Sequence, residues 1–316
     1  MTGGAGFIGA NLCRALGARD GFGRVVALDD LSTGRRDNLT GPGGFTGDGG
    51  IELVEGSILD ARLLDEVMAD ADAVVHLAAR PSVARSIEDP MASHLTNATG
   101  TLEVLEAARR GPNPHVIVAS SSSVYGANLA LPKREDMATL PVSPYAASKL
   151  ATEAYALAYG SSFDLPVLAF RFFNVFGPLQ GADHAYAAVV PAFVSAALRG
   201  DPLSIHGDGS QTRDFTFVGT VVEVLAEALV RRVTSPTPVN LAFGSRVSLL
   251  ELANALEAVL GRPLPRRHGP RRPGDVQDSQ ADQTALQGLF AGVAPVALPE
   301  GLRATVDWFL ASERFR

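Results

Sequence analysis

The chain has 316 residues, 46% hydrophobic and 19% charged, which excludes a disordered polymer and allows one large domain or two moderate ones. A formal net charge of −7 argues against a general surface for nucleic acid or for an anionic membrane, so an anionic ligand needs locally placed arginines. The single cysteine, Cys13, leaves no intrachain disulfide and no multi-cysteine metal site; it falls in a helical apolar pattern and reads as a buried core thiol. With no charged-then-apolar leader and no apolar run of about 18 residues, the expectation is a soluble cytoplasmic protein with no membrane and no nucleic-acid partner.

The chain opens Met1-Thr2-Gly3-Gly4-Ala5-Gly6-Phe7-Ile8-Gly9 and passes into a helical pattern over 10–18. Gly3, Gly6 and Gly9 form a G-x-x-G-x-x-G loop, which lets backbone N–H groups approach a pyrophosphate where the helix dipole favours an anion. A strand over 24–28 follows and ends in Asp29-Asp30, about twenty residues past the last glycine. An acid there accepts the adenosine ribose hydroxyls of a dinucleotide and repels the 2′-phosphate of NADP. Asp29 is the better candidate, with Asp30 starting the loop. Such a glycine loop normally follows a central strand of five or six apolar residues. The chain starts at the loop itself, so its first strand reads as missing, a sign of a start site placed too late.

Residues 34–50 are glycine-rich and read as a loop. A strand over 51–55, a helix over about 60–69 and a strand over 73–77 follow, the last ending in Ala78-Ala79. Those small residues let the nicotinamide side of a dinucleotide pass close to the backbone, or simply pack tightly. A helix over 96–110 leads to the run His115 to Ala119, four serines from Ser120 to Ser123, and Val124-Tyr125-Gly126. After a loop to 143, Tyr145-Ala146-Ala147-Ser148-Lys149 begins a helix to about 159. Tyr145 and Lys149 share a helix face, and an ammonium beside a phenol lowers its pKa from about 10. A strand-end serine can hold the same substrate hydroxyl. Helices carry such a pair by chance often enough that the spacing alone decides nothing. A strand over 167–170 precedes Arg171-Phe172-Phe173-Asn174-Val175-Phe176-Gly177-Pro178. Strands alternating with helices predict an α/β fold, a parallel, doubly wound sheet.

After about residue 177 the rhythm changes. A helix over 187–199, a short strand at 204–205, Gly207-Asp208-Gly209 and the segment 213–218 lead into a helix over 219–232 and a strand over 239–243. Ser248 with Glu251 is a capping box opening a helix to about 260. A Pro/Arg-rich loop, 262–276, precedes two short helical pieces. The reading is a nucleotide-binding domain over 1–177, to which 214–243 returns, and a smaller C-terminal α/β substrate lobe over 178–213 and 244–316.

Taken together, TGGAGFIG, LDDLSTG, HLAA, SSSSVYG, SPYAASK, RFFNVFGP, GDGSQTRDFTFV and RRPGDVQDSQAD, in that order, resemble the extended short-chain dehydrogenase/reductases, and most of all their NAD-dependent nucleotide-sugar 4-epimerases. The segments SVARSIEDP, LPKRED, NVFGPLQ and AYAAVVPAF look most like the bacterial UDP-N-acetylhexosamine 4-epimerases. The resemblance implies a Rossmann-type sheet, bound NAD, a UDP-sugar substrate and a homodimer formed through the helix of 96–110 and the Tyr145 helix. It places NAD against Gly3, Gly6, Phe7, Ile8, Asp29, Leu77, Ala78, Ala79 and Asn97, with Ser57 and Ile58 at the adenine, where Ser57 departs from the family's aspartate. Ser121 matches the catalytic Ser/Thr, and Tyr145 and Lys149 the base and its partner, both also touching the cofactor. Asn174, Arg213 and Arg272 are assigned to the sugar and diphosphate with Asp275 beside them. Ser122, Ser123 and Ser279 are assigned to the substrate pocket.

Relatives that eliminate water or carbon dioxide carry acids after the catalytic Ser/Thr: Asp-Glu in the dehydratases, Ser-Glu in the decarboxylases. Here those places are Ser122 and Ser123, which points to epimerisation, and LPKRED, with Glu135 and Asp136, reads as a rim. Ser279 stands where hexose-only epimerases have a bulky tyrosine, leaving room for an N-acetyl group. Gly181-Ala182 after Gln180 lacks the arginine of uronate-specific relatives. The expectation is a UDP-glucose/galactose 4-epimerase that also takes the N-acetyl forms. Its alternatives are a UDP-glucuronate 4-epimerase or 4-keto-forming dehydratase or decarboxylase, and a non-catalytic NAD-binding regulator.

Overall fold

The computed structural model describes residues 1–40, 51–182, 187–270 and 277–312. Strands β1 (Val25–Asp29), β2 (Ile51–Glu55), β3 (Ala73–His76), β4 (His115–Ser121) and β5 (Val167–Phe172) alternate with helices, as the sequence pattern predicts. β4 and β5 are almost wholly buried, the pattern of parallel strands covered on both faces. β3 pairs with β4 and β4 with β5, all parallel, and β1 pairs with β2 in the same sense.

Between β1 and β3 lies the very start of the chain. Thr2 bridges Leu28 on one side and His76 on the other, both parallel. Its neighbours complete the seam: Leu28 N donates to Met1 O and Gly3 N to Leu28 O, each at 2.8 Å, while Thr2 N donates to Val75 O at 3.0 Å. The place of the expected first strand is thus occupied at its carboxyl end by Met1, Thr2 and Gly3, and the glycine loop springs directly from it into the helix Phe7–Gly17.

The later strands are β6 (Asn174–Phe176), β7 (Leu203–His206), β8 (Thr212–Arg213), β9 (Phe215–Phe217), β10 (Val239–Leu241), β11 (Val247–Ser248) and β12 (Arg266–Gly269). β10 pairs in parallel with β5 and extends the main sheet. β6 with β9, β8 with β11 and β7 with β12 make two-stranded ribbons beyond it. β12 corrects the sequence reading, which took 262–276 as loop. RRHG has no apolar alternation, and its strand geometry comes from four residues paired in register with β7. The two C-terminal helical pieces are Thr284–Leu289 and the longer Leu298–Ala311. Ser248 and Glu251 make the predicted capping box on Leu249–Leu260.

The helix expected over 96–110 also differs. Helices Val83–Glu88 and Pro90–His94 precede it, and Leu95–Thr99 is a π-helical turn before the α-helix Gly100–Arg110. Such turns accompany functional sites, and this one carries Asn97. The apolar cores follow the layers. One face of the sheet packs on Phe7–Gly17 and Val218–Arg231, the other on Ala61–Met68, Gly100–Arg110 and Pro144–Phe163. A separate core joins Val189–Arg199, Leu249–Leu260 and Leu298–Ala311. No helix among the described residues is long and apolar enough to cross a membrane.

Candidate active site

A cleft of about 320 Å³ opens at the carboxyl ends of the parallel strands, the place where open α/β sheets bind ligands. Gly3, Gly6, Phe7, Ile8, Asp29, Ser57, Ile58, Leu77, Ala78, Ala79, Tyr145 and Lys149 all line it, as the sequence assigned. Its wall also includes Ser32, Thr33, Pro81 and Phe172, which the sequence reading did not single out. Asn97 is buried behind the wall instead, its Oδ1 accepting from Arg80 N at 2.7 Å and its Nδ2 donating to Ser148 Oγ at 2.9 Å.

The residues present fit a dinucleotide. Gly3 has φ +68°, and a Cβ there would stand 2.7 Å from Ala78 N. A Cβ at Gly9 would stand 2.1 Å from Gly3 O, so the turn closes only without a side chain. Asp29 ties this loop to β1: Oδ2 accepts from Ala5 N and Oδ1 from Leu31 N, each at 2.9 Å, and the Gly6 backbone N–H also favours its charged form. Burial raises its pKa against the pull of those donors. Asp30 is exposed and accepts from Ser32, starting the loop as expected. Ser57 Oγ accepts from Leu59 N at 3.1 Å and so serves its own turn. Gly9→Ala is expected to weaken NAD binding about tenfold or more, because overpacking beside a rigid backbone costs about 1–3 kcal/mol. Calorimetric titration with NAD measures it, and unchanged affinity would show that the turn yields.

At the far end of the cleft the helix Pro144–Phe163, capped by Ser143, carries Tyr145 and Lys149 beside the end of β4. Ser121 lies close enough to the Tyr145 phenol to pull its pKa down, against the larger effect of burial. One expectation needs correction here. Lys149 Nζ donates to Ala119 O at 2.8 Å, and burial, not an adjacent ammonium, dominates the tyrosine and raises its pKa. Burial also lowers the Lys149 ammonium to about 8. The i,i+4 spacing put both groups on one face correctly; the lysine simply has a nearer carbonyl.

Two buried polar networks hold these residues. In the first, His76 Nδ1 meets Thr2 Oγ1 at 2.7 Å and its Nε2 meets Thr101 Oγ1 at 3.0 Å. Thr101 and Thr152 both donate to Asn97 O. Burial drives His76 down to about 3, with the Lys149 charge adding to it, so the ring is neutral. In the second, Arg171 on β5 makes a bidentate pair with Glu153, Nε to Oε2 at 2.9 Å and Nη2 to Oε1 at 2.6 Å. Both side chains are at most 5% exposed. Ser120 Oγ donates to the same carboxylate at 2.8 Å, tying β4, β5 and the helix Pro144–Phe163 together.

The candidate acids of the 125–143 loop are occupied elsewhere. Glu135 Oε1 accepts from Asn240 N at 2.8 Å, and Asp136 pairs with Arg134 at the surface. Away from the residues that line the cleft, β8 and β9 gather three of the residues the sequence assigned to the substrate. Asn174 donates from its N to Asp214 O at 3.2 Å, Arg213 Nη1 donates to Thr212 O at 2.8 Å, and Ser279 N donates to Thr212 O at 3.1 Å. Asp214 anchors this group, accepting from Ser245 N and Oγ and from Ala281 N; burial raises it to about 6. Arg272 and Asp275 lie outside the described residues. Among the described residues no group of three or more His, Cys, Asp or Glu could hold a metal ion.

A glycine loop, an acid closing β1 and a cleft at the carboxyl ends of parallel strands make this molecule a nicotinamide-dinucleotide enzyme. The chain belongs to the NAD dependent epimerase/dehydratase family, whose model matches residues 1–242. It is 39% identical over 312 residues to a UDP-glucose 4-epimerase of Mycolicibacterium smegmatis, covering 98% of this chain and 97% of that one. It is 30% identical over 334 residues to a probable UDP-glucuronate 4-epimerase of Rhizobium meliloti, with coverage of 98% and 96%. Among solved structures, a UDP-N-acetylglucosamine 4-epimerase of Methanobrevibacter ruminantium, in complex with UDP-N-acetylmuramic acid, superposes with a TM-score of 0.90 at 34% identity, covering 98% and 97% of the two chains. The resemblance to NAD-dependent 4-epimerases of the extended short-chain dehydrogenase/reductases, with its Rossmann-type fold, is borne out.

Proposed function

We propose that the chain inverts C4 of a UDP-sugar, interconverting UDP-glucose and UDP-galactose and also the N-acetylated pair. The observation that carries the reading is the absence of an acid beside Ser121. Ser122 and Ser123 follow it, and Glu135 is committed to Asn240 N. Elimination of water or carbon dioxide calls for a carboxyl group acting on the sugar beyond C4, and none is offered at these places. The small Ser279, held on β8 through its backbone, supports the N-acetyl substrates.

The glycine loop and Asp29 would hold NAD, which would supply the hydride acceptor and donor for sugar C4. Tyr145 as phenolate removes the O4 proton and gives it back on reduction, which leaves no net change in protons. Ser121 donates a hydrogen bond to the same oxygen and holds the 4-keto form. Lys149 orients the nicotinamide ribose, and its charge favours the phenolate once its carbonyl partner is shared. Asn174, Arg213 and Arg272 with Asp275 grip the diphosphate, so that binding energy remote from C4 retains the ketone while the sugar turns. In this reading 1–177 and 214–243 carry the cofactor, and 178–213 and 244–316 the UDP-sugar.

The chain works in the cytoplasm and pairs with a second copy. Val83, Ile87, Met91 and Leu95 are exposed apolar side chains on the helices before Gly100, and Tyr155 and Phe163 are exposed on the helix Pro144–Phe163 they pack against. Incubation of the NAD-loaded protein with UDP-glucose, UDP-N-acetylglucosamine and UDP-glucuronate, with products resolved by NMR, tests the reaction. C4 inversion of the first two is expected. No inversion of any of the three would sink the reading, and uronate turnover alone would move it to the glucuronate epimerases.

A further inference from the structure

Ser121 ends β4 and caps the short turn Ser122–Tyr125. Its Oγ accepts two hydrogen bonds from one residue: Ser123 N at 3.1 Å and Ser123 Oγ at 2.9 Å. A serine oxygen has two lone pairs and one proton. Both lone pairs are engaged, so the remaining capacity of Ser121 is to donate. The partner in reach is the Tyr145 phenol.

We propose that Ser123 is a positioning residue that makes Ser121 a one-way donor. It fills the acceptor sites of Ser121 Oγ and thereby directs the Ser121 proton at the Tyr145 oxygen and, in the loaded site, at sugar O4. The direction matters because a hydrogen bond donated to a phenol oxygen favours the phenolate, whereas one accepted from the phenol favours the neutral form. Without the Ser123 hydroxyl, one lone pair of Ser121 is released and the serine can accept the tyrosine proton, reversing the sign of its influence on the base. The chain of two hydroxyls also polarises the Ser121 O–H bond and strengthens its donation.

The kinetic half of this proposal rests on the epimerase reading; the acid–base half does not. The other ionisable groups around the serines and Tyr145 are Lys149 on the same helix, neutral His76 on β3, and the Glu153–Arg171 pair behind Ser120. None of them changes when residue 123 is altered. The test uses the full NAD-loaded chain with Ser123→Ala and Ser123→Thr. Tyrosinate absorbance is titrated against pH, and the Tyr145→Phe trace is subtracted to isolate the one phenol. Ser123→Ala is expected to move that titration upward by about one pH unit, the worth of one net hydrogen bond. Its kcat should fall about tenfold at neutral pH and recover as the pH is raised, with KM for the UDP-sugar unchanged. Ser123→Thr keeps the hydroxyl and should restore both. A lower kcat with an unmoved Tyr145 titration would overturn the proposal, as would a raised KM with kcat intact. A shifted titration in a protein that inverts no UDP-sugar would leave the donor assignment standing and remove the epimerase reading instead.

Discussion

Tyr145→Phe is expected to lower kcat by about 10²- to 10⁴-fold, the usual contribution of a positioned proton-transfer group, while NAD still binds. The phenyl ring fills the same half-buried place at the end of the cleft, and the glycine loop and Asp29 at the other end are untouched. The comparison of kcat by coupled assay with NAD affinity by calorimetry separates chemistry from binding. Turnover at the wild-type rate would remove Tyr145 from the role of base. The wild-type enzyme should also gain activity as the pH rises from acid, because burial holds the phenol above its ordinary pKa and only the ionised form accepts the O4 proton.

The second large effect falls away from the chemistry. Glu153→Gln should destabilise the protein by about 3–5 kcal/mol, because it leaves the buried Arg171 guanidinium without its counter-charge. Burial opposes the charge on Arg171 and the Glu153 hydrogen bonds outweigh it, so the arginine is held firmly ionised and cannot escape by losing a proton. Urea unfolding with an unchanged slope measures the loss. The double replacement Glu153→Leu with Arg171→Met should recover much of it, since an apolar pair of similar volume is often no worse than a buried ion pair. A loss under about 1 kcal/mol in the single variant would mean that water or the Glu135 carbonyl, which also accepts from Arg171, compensates the charge.

Which parts were legible in the sequence follows from how local their signals are. Gly3, Gly6 and Gly9 announce a backbone that tolerates no Cβ, and Asp29 stands at the end of a five-residue strand; both need only a short window. The alternation of strands and helices is carried by apolar periodicity and survives almost intact. What escaped depends on partners far along the chain. Arg171 and Glu153 read as two ordinary charges until β5 and the helix Pro144–Phe163 bring them together. Pro81 and Phe172 come from distant stretches of the chain and share the cleft wall only once the sheet is formed. The hydrogen bond from Lys149 to the carbonyl of Ala119 escaped for the same reason, since the spacing to Tyr145 is visible in sequence and a partner thirty residues away is not. The π-helical turn at Leu95–Thr99 has no compositional mark at all.

The cleft spans two arms of the parallel sheet, with Asp29 at the end of β1 and Leu77, Ala78 and Lys149 beside β3 and β4. A dinucleotide lying there works as a brace. Its two ends grip different strands, so the cofactor that runs the chemistry also stiffens the scaffold around it.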